Sequence, residues 1–124
     1  MSRWAEFNPN PHGKSVGDCM VRALSKATGD SWDCTYIWLS VLGFLHADMN
    51  DSNEVMDCFL RKRGFKRGMI EDECTVDEFA AGHPMGTYVL ALGRHVVCVK
   101  DGMYWDSWDS GREIPLYFWC KGED

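Results

Sequence analysis

The chain is expected to fold as an α+β domain, with N-terminal helices packed on a C-terminal antiparallel sheet of about four strands. Two observations point there. Apolar residues recur at helical spacing from about residue 18 to residue 82. After that, short apolar runs alternate with the turn sequences Gly93-Arg94, Asp101-Gly102 and Ser110-Gly111-Arg112. Helices followed by strands, instead of alternating with them, argue against a doubly wound sheet. With 124 residues the chain reads as a single domain, 1–124, large enough for its own core.

Residues 1 to 16 are expected to be irregular, because Asn8-Pro9-Asn10-Pro11-His12-Gly13 combines two prolines with a glycine. A first helix should run from about Asp18 to Thr28 and stop at Gly29, with Met20, Ala23, Leu24 and Ala27 on one side. A second should run from about Ser31 to Leu45, capped by Asp30 or Ser31. Its Trp32, Tyr36, Ile37, Trp38, Leu39 and Leu42 suggest burial on more than one side. A third spans about Ser52 to Arg63 and ends at Gly64-Phe65. A short fourth begins at Thr75, where Thr75-Val76-Asp77-Glu78 forms a capping box. Strands are expected at Thr87–Leu92, His95–Lys100, Met103–Trp108 and Ile114–Cys120.

A net charge of −6 argues against a nucleic-acid binder, which needs a positive field. The basic cluster Arg61-Lys62-Arg63 with Lys66-Arg67 reads as a solvated helix end, where cations suit the macrodipole. No apolar run approaches the roughly 20 residues of a membrane span, so no membrane partner and a cytoplasmic location are expected. The six cysteines lack C-x-x-C spacing, so no metal and no cofactor are expected, and reduced thiols are favoured over disulfides.

The chemistry centres on Cys19, in Val16-Gly17-Asp18-Cys19-Met20-Val21-Arg22, where a loop turns into a helix. Unpaired N–H groups at a helix start favour a thiolate. Far downstream, His95 leads into an apolar strand, and Asp106 lies in the next one. A cysteine, a later histidine and a following carboxylate are the parts of a thiol nucleophile site.

Taking Asp101-Gly102 as a two-residue hairpin turn sets Lys100 opposite Met103 and Val99 opposite Tyr104. It then predicts that Asp106 lies diagonal to His95 and hydrogen-bonds to it, beside Trp108 as a site wall. Trp105 and the loop around residues 8 to 16 are the other expected walls. Asp18 is expected to cap the helix, and Arg22 to offset its charge or anchor a loop. The Cys19 N–H would face an oxyanion, with a second donor from Asn8, Asn10 or His12, an asparagine being preferred.

Gly17-Asp18-Cys19, His95 after a glycine and Asp106-Ser107-Trp108 together resemble the papain-like cysteine peptidase superfamily. In that superfamily, Asn-Ser-Trp carries the third triad residue and a shielding tryptophan. Asp in the place of Asn is similar to the small bacteriocin-processing double-glycine peptidases. The resemblance covers order and spacing over residues 17 to 120. It implies a thiol hydrolase acting on a peptide or protein through Cys19, His95 and Asp106. Two positions depart from the pattern: Gly13 stands where those enzymes usually place a glutamine, and no tryptophan follows Cys19. The other reading is a silent binding or inhibitor protein on the same scaffold, of bacteriophage or mobile-element type.

Overall fold

The structure is a computed structural model and describes residues 2–121. Its elements are β1 (Trp4–Glu6), α1 (Cys19–Thr28), α2 (Trp32–Leu45), α3 (Asn53–Arg61), β2 (Phe65–Met69), α4 (Val76–Gly82), β3 (Thr87–Ala91), β4 (Val96–Lys100), β5 (Met103–Asp106) and β6 (Tyr117–Lys121). Among the described residues, four helices and one six-stranded mixed sheet make an α+β fold, with strand order β1-β5-β4-β3-β6-β2.

Helix boundaries follow local chemistry. α1 stops at Gly29, whose φ of 82° is the left-handed conformation that glycine adopts at low cost. Ser31, Ser52 and Thr75 cap α2, α3 and α4 through side-chain oxygens that accept backbone N–H groups. At α4 the capping box is complete, with Glu78 reaching back to the Thr75 N–H at 2.9 Å.

The β4–β5 hairpin has the expected register, with Lys100 opposite Met103 and Val99 opposite Tyr104. Asp101 and Gly102 both adopt positive φ, 53° and 78°, as a tight turn between right-twisted strands requires.

The sheet is buried on both faces. Val89, Ala91, Val96, Cys98 and Trp119 pack with α1, α2 and α3. Leu90, Leu92, Val97, Val99 and Tyr104 pack with Val76, Phe79 and Ala80 of α4. Strand alternation thus feeds two cores, one on each side.

The sheet holds six strands where about four were expected. β1 lies inside the segment read as irregular, ahead of its prolines, and pairs parallel to β5 with Glu6 opposite Asp106. β2 follows α3 after Gly64 and pairs antiparallel to β6. It carries Lys66 and Arg67 on a sheet edge, where charge discourages further pairing. Those two cations therefore belong to a strand and not to a helix end.

α2 departs from expectation as well. Thr35, Leu39, Leu42 and Gly43 are its buried residues, while Tyr36, Ile37, Trp38, Val41, Phe44 and Leu45 are exposed. No helix among the described residues is long and apolar enough to cross a membrane.

Candidate active site

Cys19 is the first residue of α1, so helix geometry leaves its N–H without an intrahelical partner. β4 runs past this helix start. The thiol lies within interaction range of the His95 ring and the Val96 backbone, and both favour its thiolate. Burial raises the thiol pKa. The polar groups of His95 and Val96 and the nearby charges of His95 and Arg22 outweigh it, and the net shift is downward.

His95 lies in the bend just before β4, held there by its own carbonyl, which accepts the Leu92 N–H at 2.8 Å. Its Nε2 is 2.5 Å from Asp106 Oδ2. Nδ1 is therefore the nitrogen left to face the thiol. Burial lowers the His95 pKa, but bonds to Asp106 and Cys19 and their negative charge push it up to about 9. The Trp108 ring tilts over the imidazole at 4.9 Å between centroids.

Asp106 ends β5 and is fully buried. A buried carboxylate needs full satisfaction, and this one has it. Oδ1 accepts Arg22 Nη2 at 3.0 Å and the Ser107 N–H at 2.8 Å. Oδ2 accepts Ser110 Oγ at 2.6 Å besides His95. Burial raises its pKa, and the His95 and Ser110 bonds with the His95 and Arg22 charges bring it below the usual carboxylate value. Its backbone is fixed too: the carbonyl accepts the Phe7 N–H at 2.8 Å and Trp4 Nε1 at 3.0 Å.

Arg22 extends this network. Its Nη1 donates to Asp18 Oδ1 at 2.6 Å, and Asp18 Oδ2 accepts Trp32 Nε1 at 2.8 Å. Asp18 therefore does not cap α1 with its side chain, contrary to expectation. Its carboxylate is committed to a buried ion pair one turn along the helix.

The group opens onto a cleft of about 910 Å³. Cys19 and His95 lie in it, with Trp32, Tyr36 and Trp108 as aromatic walls and the 10–18 loop along one side. Trp105, expected as a wall, lies elsewhere: its ring carries Lys26 Nζ at 3.6 Å and packs edge-on to Phe7.

Of the two asparagines favoured as oxyanion donors, Asn10 lines the cleft and Asn8 does not. Asn8 Nδ2 donates to the Lys14 carbonyl at 3.2 Å, which spends that donor on the loop itself. Asn10 Oδ1 accepts the His12 and Lys14 N–H groups, so its carbonyl holds the loop in shape. His12 also lines the cleft.

Sequence reasoning missed Ser110, Trp4 and the full role of Arg22. Arg22 carried a signal: an arginine four residues after Asp18, on the helix face shared with apolar core positions, is placed for a buried pair. Among the described residues all six cysteines are free thiols, and no group of three or more His, Cys, Asp or Glu is placed to hold a metal ion. No protein-family model, no curated protein and no solved structure matches the chain.

Proposed function

We propose that this protein is a thiol-dependent hydrolase of papain-like type that cleaves an amide bond in a peptide or protein. The observation that carries the reading is the chain of contacts from Cys19 through His95 to the buried Asp106, with its thiol end at a large cleft.

In the proposed reaction the Cys19 sulfur attacks the scissile carbonyl carbon and forms a C–S bond. The tetrahedral oxyanion takes the free Cys19 N–H, with the Asn10 amide as second donor. The His95 imidazolium gives its proton to the leaving nitrogen as the C–N bond breaks. Water, deprotonated by His95, then attacks the thioester and releases the acid and the thiol. Asp106 fixes the imidazole orientation and stabilises its cation throughout. Deamidation or acyl transfer would use the same parts with a different substrate or resolving nucleophile.

The test is digestion of a cell-extract peptide library with wild-type protein and with Cys19→Ala, read as new N-termini by mass spectrometry. Hydrolysis predicts new termini only with Cys19 present. Identical libraries from the two proteins would reject peptide cleavage.

A second reading, a binding protein without turnover, has two observations in its favour. Gly13 supplies no side chain at the usual glutamine position, and Asn8 is occupied within the loop. It predicts a reactive Cys19 with no cleaved product.

A further inference from the structure

We propose that the outer face of α2 is a homodimer interface, which seats α2 of a second copy in antiparallel orientation. Among its 14 residues α2 has one charged side chain, Asp33 at its start. Solvent meets Ile37 (60% exposed), Trp38 (49%), Val41 (38%), Phe44 (84%) and Leu45 (68%). A solvated helix normally turns charge outward, and this one turns its largest apolar groups outward.

The area suits the apolar centre of an interface. At roughly 200 Å² per large side chain, these five exposures amount to on the order of 600 Å². That is the top of the range for the largest apolar patch on a typical monomer, about 300–600 Å², and would form the apolar centre of a standard interface, which buries about 800 Å² on each partner with its polar rim included.

The pattern specifies a helix as occupant. Cys34, Trp38, Val41 and Leu45 stand at i, i+4, i+7 and i+11, the seam spacing of paired helices, with Ile37 and Phe44 alongside. A two-fold axis across the middle of this seam sets Trp38 against Val41 of the second copy, large against small. Antiparallel pairing also aligns the helix dipoles favourably and brings Asp33 near His46 of the other copy. An anionic lipid surface is a poorer occupant, because the face carries no Lys or Arg.

Sedimentation equilibrium from about 1 to about 100 µM, the range over which standard-size interfaces of modest quality dissociate, tests this. Wild-type protein should reach twice the 14.2 kDa chain mass. Phe44→Lys and, separately, Ile37→Lys should both return it to one chain mass while keeping the far-UV spectrum and a cooperative melt, since both side chains are exposed. A wild-type protein of one chain mass throughout would overturn the proposal. So would a doubled mass that persists in both variants, because the contact would then lie on another face.

Discussion

Arg22 and Asp106, 84 residues apart in the chain, form a buried ion pair in which Arg22 Nη2 donates to Asp106 Oδ1 at 3.0 Å. The other oxygen, Oδ2, is left to His95 and Ser110. One helix thus presents the thiol and also holds the carboxylate that orients its base. The pair is shared, because Arg22 also meets Asp18. Two carboxylates flanking one guanidinium keep the cation satisfied by fixed geometry, which a flexible ammonium would not reproduce.

Arg22→Met is expected to destabilise the fold by about 3–5 kcal/mol, because it strands Asp18 as an unpaired buried charge and leaves the buried Asp106 with His95 as its one cationic partner. Arg22→Lys should fall between wild type and Arg22→Met. Urea unfolding of the three proteins measures this. A Met variant as stable as wild type would mean the pair only offsets its own desolvation.

Stability should depend on pH in a defined sense. The folded His95 pKa is raised from 6.5 to about 9. A raised pKa means the folded state binds the proton more tightly, so this contribution is complete below about 6.5 and is lost as pH rises through about 9. Asp106 runs the other way: its pKa is lowered, so its contribution is present above the unfolded value of 3.8 and is lost as pH falls. Thermal melts of wild type and His95→Gln between pH 6 and pH 10 should converge on the alkaline side. A constant gap across that range would contradict the raised pKa.

Ser110→Ala removes the 2.6 Å bond to Asp106 Oδ2 at a site with no solvent access. Loss of a bond to a charged group costs about 1.5–3 kcal/mol, and the Asp106 pKa should rise. Chemical denaturation at pH 7, with NMR titration of the Asp106 carboxyl, checks both expectations. An unmoved titration would show that water replaces the hydroxyl.

The hairpin that sets His95 against Asp106 depends on Gly102, at φ 78°. A Cβ there would also sit 3.3 Å from Pro84 Cα. Gly102→Ala is expected to cost about 1–2 kcal/mol from left-handed backbone strain alone. A variant as stable as wild type in urea would mean the turn relaxes into another type.

Much of this site is legible in the sequence, because its parts depend on short-range rules. Asp101-Gly102 sets a register, and the register brings Asp106 to His95. Gly29 and the caps at Ser31 and Thr75 mark helix ends by local hydrogen bonding. What escapes is long-range. β1 is three residues long and becomes a strand through a parallel partner some 100 residues away, so no periodicity announces it. β2 buries Phe65 but exposes Lys66, Arg67 and Met69, and carries a glycine, so its strand character comes from β6. Asp18 has the residue type and position of a cap, yet Arg22 and Trp32 claim its oxygens. The apolar run of α2 predicts burial that the isolated chain does not provide.

The reactivity of Cys19 is the most direct test of the thiolate–imidazolium pair. The measurement is the rate of iodoacetamide alkylation against pH, resolved cysteine by cysteine through mass mapping, in wild type and in His95→Ala. The pair predicts fast labelling of Cys19 below pH 7, slowed when His95 is removed. A Cys19 that is inert, or that reacts like a free thiol of pKa near 8.5 and ignores the loss of His95, would contradict it.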